Sequence, residues 1–159
     1  MIKKYLVIGN PIEHSLSPKL HNYWFNKNNI DAVYDKKQIN EADIKEIISE
    51  VRNGKIDGIN VTVPFKKSVI PFIDELSFEA KKSQSVNTIY KENNKVLGHN
   101  TDISGFELAM RGKSYDIKGK KIFILGAGWV VPSIILALKK MGADKIILSN
   151  RTKKKIWTT

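Results

Sequence analysis

The sequence has 159 residues, 42% hydrophobic and 27% charged, an ordinary globular balance with room for one domain and part of a second. It has no cysteine, which excludes disulfide staples, cysteine nucleophiles, Cys-held zinc and iron–sulfur clusters, and makes a reducing cytoplasm the simplest location. The formal net charge is +11, yet only 3 of the 27 basic residues are Arg, the side chain that reads base edges and grips phosphate bidentately, so a nucleic-acid module ranks behind a globular enzyme.

In chain order, the apolar run Tyr5–Ile8 is too short for a signal peptide and reads as part of a buried strand, Lys4–Gly9, ended by Asn10-Pro11. Ser17 is a good helix N-cap and Pro18 suits the first helical position, with Leu20, Tyr23 and Trp24 on the apolar side. Val33-Tyr34 belongs to a second strand. Ile44, Ile47, Ile48 and Val51 recur at i, i+3, i+4, i+7, an amphipathic helix stopped by Gly54. A strand over 58–64 puts Ile59, Val61 and Val63 on one face and Asn60 and Thr62 on the other. A helix is expected over 74–83, then a hairpin of strands 85–90 and 95–99 around Glu92-Asn93-Asn94. Thr101 caps a helix over 102–111.

The segment Ile122–Leu138 carries no charge over 17 residues, close to membrane-spanning length. Gly126-Ala127-Gly128 and Pro132 break it, so it reads as a buried strand, a tight turn and a buried helix, with no membrane partner. With strand 145–149 it makes a βαβ unit. The first glycine of the turn permits the tight bend; the second lets backbone approach a pyrophosphate at the helix N-terminus. A ligand-free turn is the alternative. Where an NAD enzyme carries Asp or Glu for the ribose, this chain has Asn150-Arg151-Thr152 and then Lys153–Lys155. Cations and a hydroxyl suit a 2′-phosphate, which favours NADP over NAD, with a solvated basic tail as the alternative. From Lys113 to the end there are 11 Lys and Arg against 2 Asp and Glu, a field that draws anions.

The polar residues of the first hundred positions fall in short groups: Ser15 and Ser17, which in an extended segment face one side; Asn60 and Thr62, followed by Lys66; Asn87; and Asp102. The stretches that hold them are Gly9-Asn10-Pro11 with His14-Ser15-Leu16-Ser17-Pro18, Asn60-Val61-Thr62-Val63-Pro64-Phe65-Lys66, Ser85-Val86-Asn87-Thr88, and Asn100-Thr101-Asp102 with Gly105-Phe106. In this order, followed by the glycine turn and Asn150-Arg151-Thr152, they resemble the shikimate dehydrogenase family over essentially the whole chain.

That resemblance implies an α/β protein with an N-terminal substrate-binding domain (1–101) and, over 102–159, a linker helix and the first βαβ of an incomplete Rossmann-type NADP-binding domain. It implies NADPH-dependent, reversible reduction of 3-dehydroshikimate to shikimate in chorismate and aromatic amino acid biosynthesis. Carried over by position, Ser15 and Ser17 bind the substrate carboxylate; Asn60, Thr62, Asn87 and Asp102 bind ring hydroxyls together with Lys66; Lys66 and Asp102 are the catalytic pair. Gly126, Ala127 and Gly128 meet the pyrophosphate, and Asn150, Arg151, Thr152 and Lys155 surround the 2′-phosphate. The partners implied are shikimate and 3-dehydroshikimate, with a homodimer left open for the full-length family; no metal is implied.

Two departures stand out. Trp129 occupies a position where the family usually has glycine, and only two strands fit after Lys121 where a full dinucleotide fold has about six. The sequence therefore reads as a C-terminally truncated copy of a longer enzyme, and this form is expected not to turn over. A quinate/shikimate dehydrogenase is the nearer enzymatic alternative, since one hydroxyl contact decides between them.

Overall fold

The computed structural model describes residues 2–152. They form two compact units, one ending at His99 and the other beginning at Asn100.

The first unit contains β1 (Lys3–Gly9), α1 (Ser17–Lys27), β2 (Ala32–Gln38), α2 (Ile44–Arg52), β3 (Gly58–Val61), β4 (Glu75–Leu76), α3 (Phe78–Ser83), β5 (Thr88–Glu92) and β6 (Lys95–His99). The strands make one mixed sheet in the order β2-β1-β3-β5-β6-β4. β1 is parallel to β2 and β3, while β5 runs antiparallel to both β3 and β6. The carboxyl ends of β1, β3 and β6 and the start of β5 therefore lie along one edge.

The sheet's two faces differ in chemistry. On one, Ile8, Ile59, Val61, Ile89 and Val96 are buried beneath Ile44, Ile47, Ile48 and Val51 of α2 and Ala80 of α3. The i, i+3, i+4, i+7 spacing makes this stripe, and Gly54 follows it at φ +72°, a left-handed conformation that ends the helix cleanly. The register puts Gly98 on this face beside Ile89, where a Cβ would come within 2.9 Å of Ile73 Cδ1 and Leu76 Cδ2. On the other face the register aligns Tyr5 with Tyr34, Asn60 with Thr88, and Thr88 with His99. α1 covers its β1–β2 end, where Phe25 packs at 5.7 Å from the Tyr5 ring. Over β3 and β5 the face opens on a cavity of about 460 Å³, bordered by Tyr5, Asn60, Thr88 and Tyr90.

Several local expectations are corrected. Ser17 does not cap α1; it is the first helical residue, and the Ser15 hydroxyl accepts its N–H at 3.3 Å. β3 stops at Val61, where the chain turns through the bond from Phe65 N–H to the Thr62 carbonyl, so Val63 is exposed rather than facing the core. No helix begins at Asp74. That carboxylate accepts from Arg52 and from the Val96 N–H, Glu75-Leu76 pair with β6, and the helix starts only after Ser77, whose hydroxyl accepts the Ala80 N–H. The hairpin strands begin at Thr88, not 85, and the tight turn is Asn93-Asn94, both at positive φ as a two-residue hairpin turn requires.

The second unit holds α4 (Asp102–Gly112), β7 (Lys121–Leu125), α5 (Val131–Lys140) and β8 (Lys145–Ser149), with β7 and β8 parallel. Thr101 makes no side-chain cap on α4; Asn100 Oδ1 accepts the Asp102 N–H at 3.0 Å instead. Asn100 Nδ2 also donates to Ser133 Oγ at 2.8 Å, joining the segment before α4 to α5, and Lys140 of α5 pairs with the buried Glu107 of α4 at 3.2 Å. β7 is not buried on both faces as expected: Phe123 and Leu125 are exposed while Ile122 and Ile124 are half-buried. Among the described residues, no helix is long and apolar enough to cross a membrane and no cluster of His, Asp and Glu could hold a metal.

Candidate functional site

Three polar segments meet at the edge formed by the carboxyl ends of β1 and β3 and the start of β5. After β1 the chain turns at Ile12, whose carbonyl accepts the Ser15 N–H at 3.0 Å, and Lys36 Nζ donates to the Glu13 carbonyl at 2.5 Å, fastening the serine loop to β2. After β3, Thr62 donates its N–H to the Ile8 carbonyl at 2.9 Å. A Cβ on Gly9 would lie 2.6 Å from Thr62 Cγ2, so only glycine lets β1 pass this close. Lys66 is half-buried, and its carbonyl accepts the Val86 N–H at 2.8 Å, which holds the next residue, Asn87, beside it. The Asn87 N–H reaches the His99 carbonyl at 2.9 Å, while its own carbonyl accepts the Val61 N–H at 2.9 Å, stitching β3 to β6.

Side-chain bonds link three of the expected residues through one that the sequence reading placed only in a strand. Tyr34 donates its hydroxyl to Asn60 Oδ1 at 2.6 Å and is hydrogen-bonded by the Ser17 side chain. Asn60 Nδ2 donates to the Asn87 carbonyl and to Thr88 Oγ1, both at 3.2 Å. Thr88 Oγ1 in turn donates to Asn87 Oδ1 at 3.0 Å. Tyr34 is 4% exposed, and burial pushes its pKa up to about 12, with the Ser17 bond pulling the other way. The single hydroxyl hydrogen of Tyr34 goes to Asn60, so Ser17 is the donor in its bond to the phenol oxygen. Asn22 grips the Tyr34 backbone from both sides, accepting its N–H at 2.9 Å and donating to its carbonyl at 2.7 Å. The His21 ring stacks on Tyr34 at 4.2 Å and 6°, and burial lowers the His21 pKa. The signal that could have found Tyr34 is elementary: a buried tyrosine needs a partner for its hydroxyl.

Ser15, Ser17, Asn60, Thr62, Lys66 and Asn87 thus belong to the first unit, while Asp102 is the first residue of α4 in the second. The cofactor positions are also in the second unit. Gly126, at φ +95°, is a bend that L side chains rarely adopt, and its N–H reaches the Ser149 carbonyl at 2.7 Å, so the glycine turn lies beside the end of β8. The turn does not itself open α5, as expected from sequence. Trp129 and Val130 intervene, and the Val131 N–H closes on the Gly128 carbonyl at 3.1 Å. Ala127 lies between the two glycines. Just past β8, Asn150 Nδ2 donates to the Thr152 carbonyl at 2.8 Å, and Arg151 and Thr152 are exposed. Lys155 lies outside the described residues. A cation and a hydroxyl at this end are the donor set that a 2′-phosphate takes. The start of α5 offers a pyrophosphate less, since Pro132 has no N–H and that of Val131 is used.

Residues 7–89 match the family described as the shikimate dehydrogenase substrate binding domain. The chain belongs to that family. It is 59% identical over 155 residues to the shikimate dehydrogenase (NADP(+)) of Pelagibacter ubique, covering 98% of this chain and 58% of the relative. Among solved structures it resembles shikimate dehydrogenase from Aquifex aeolicus, with 41% identity and a TM-score of 0.90 over 96% of this chain and 57% of that one. It also resembles the Thermus thermophilus shikimate 5-dehydrogenase in complex with NADP(H) and shikimate, with 29% identity and a TM-score of 0.86 over 95% and 57%. The α/β architecture read from sequence agrees with these structures. The chain spans about half the length of the curated relatives it matches.

Proposed function

We propose that this chain carries the substrate-holding part of an NADP-dependent shikimate dehydrogenase, the enzyme that reduces 3-dehydroshikimate reversibly to shikimate. The observation that carries the reading is the gathering of Ser15, Ser17, Thr62, Lys66 and Asn87 at one sheet edge, in a chain of this family. Shikimate is a small carboxylic acid bearing several hydroxyls. It is recognised by many short polar side chains rather than an apolar pocket, because each buried hydroxyl left unpaired costs about 1–3 kcal/mol.

In this reading Ser15 and Ser17 hold the carboxylate, while Asn60, Thr62, Asn87 and Asp102 hold the ring hydroxyls. NADPH, when bound, supplies the hydride. The Lys66 ammonium stabilises the charge that develops on the ketone oxygen and gives it a proton at Nζ, and Asp102 keeps lysine and substrate hydroxyl in register. Gly126, Ala127 and Gly128 would hold the pyrophosphate, and Asn150, Arg151, Thr152 and Lys155 the 2′-phosphate. The same reading places the protein in the cytoplasm, with this small acid as its ligand rather than nucleic acid or a membrane, and carries a homodimer for the full-length enzyme.

Calorimetric titration with shikimate tests it. The native chain is expected to bind, and Lys66→Ala and Asp102→Ala to bind at least tenfold more weakly, the scale of one lost charge-assisted bond, about 1.5–3 kcal/mol. Equal binding by all three sinks the assignment. For the cofactor, Arg151→Ala is expected to abolish any preference for NADP over NAD; an unchanged preference removes the 2′-phosphate site from this segment.

A further inference from the structure

The bonds around Tyr34 run in one direction. Ser17 donates to Tyr34, Tyr34 to Asn60 Oδ1, Asn60 Nδ2 to Thr88 Oγ1, and Thr88 to Asn87 Oδ1. A carboxamide has two N–H donors and one acceptor oxygen. Asn60 directs its donors to Thr88 Oγ1 and the Asn87 carbonyl, and its oxygen accepts from Tyr34. The Asn87 carbonyl only accepts, so it turns Nδ2 toward itself, and the Tyr34 hydroxyl, which can donate, holds the Oδ1 on the other side. Thr88 follows, because its oxygen accepts from Asn60 and its hydrogen therefore goes to Asn87. The Asn87 carboxamide is thus linked, through Thr88 and Asn60, to a phenol on β2, two strands away from β3 across β1.

We infer that Tyr34 is a positioning residue of the site: its hydroxyl holds the Asn60 carboxamide in place and, through Asn60 and Thr88, steadies the carboxamide of Asn87 for a ring hydroxyl. The inference rests on the proposed function for the identity of the ligand. Tyr34 touches the carboxylate end through Ser17 and the hydroxyl end through Asn60 and Thr88. Its backbone is held independently by Asn22 and its ring by His21. Removing the hydroxyl alone therefore leaves the strand anchored.

The test is Tyr34→Phe in the full chain, with two readouts. Side-chain amide NMR needs no ligand. The Asn60 and Asn87 amide signals are expected to shift and their hydrogens to exchange faster, while the Asn22 amide, which binds only the Tyr34 backbone, stays in place. Unmoved Asn60 signals overturn the inference, and so does equal movement of Asn22, which would make Tyr34 a prop for β2. The second readout compares shikimate with cyclohex-1-enecarboxylate, which keeps the acid and lacks the ring hydroxyls. The preference of the native chain for shikimate is expected to shrink about tenfold in Tyr34→Phe, the scale of one net hydrogen bond. An unchanged ratio overturns the link to substrate. If the native chain binds neither acid, the proposed function falls, while the amide spectrum still decides the positioning role.

Discussion

The two faces of the six-stranded sheet are made by the same strands and do opposite things. Toward α2 and α3 stand Ile8, Ile59, Val61, Ile89 and Val96, which have no hydrogen bond to make and can pack only one way. Toward α1 stand Tyr5, Tyr34, Asn60, Thr88 and His99, of which Tyr34, Asn60 and Thr88 are joined in a directed chain that ends on Asn87. Alternation along a strand lets each segment serve both purposes. In β3, Ile59 and Val61 anchor the strand while Asn60 between them orients Asn87. The aliphatic side carries the stability, and the polar side uses that rigidity to hold its hydrogen-bonding groups at fixed angles.

That division can be broken at several points. The largest loss of stability should come from the aliphatic side: Ile89→Ala, at a fully buried position, is expected to lower the unfolding free energy by 2–5 kcal/mol, roughly the range for such cavities, in urea denaturation. A loss under 1 kcal/mol would mean that α2 collapses onto the gap. On the polar side, Asn60→Ala strands the Tyr34 hydroxyl and is expected to cost about 1–3 kcal/mol.

Alkaline titration sharpens the contrast further. Tyr34 keeps its proton up to about pH 12 in the folded chain, against an ordinary value of 10.0. Between those values only the unfolded chain gives up its proton, so stability falls as pH rises through that window. Tyr34→Phe should remove this part of the decline; an identical alkaline profile would place the phenol in water. The smallest effect belongs to His21, whose pKa burial lowers below 6.5. Its contribution is present above pH 6.5 and fades as pH falls through the lowered value, and His21→Phe should flatten that shallow acid limb.

The sequence revealed the aliphatic face more readily than the polar one. The stripe of α2 is legible because all four of its positions meet one core, and β-strand alternation exposes Ile59 and Val61 as a pair. Asp74 misleads because an acidic residue before a helical run looks like a first turn, whereas its partners Arg52 and Val96 each lie 22 residues away. Ser15, Lys66 and Asn87 are legible as motif residues. Tyr34 is not, because its role depends on Asn60, 26 residues onward, and no local pattern encodes that pairing. Ser17 looks like a cap for the same reason: its real acceptor is brought to it by the sheet.

The Asn93-Asn94 turn sits at the end of β5 and the start of β6, along the margin of the sheet opposite the serine and lysine segments. Both residues are exposed and adopt left-handed backbone that costs asparagine little. A fluorophore, an affinity handle or a tether to a solid support grafted at this tip would hold every molecule in the same attitude, with the margin that carries Ser15 and Lys66 turned outward into solution.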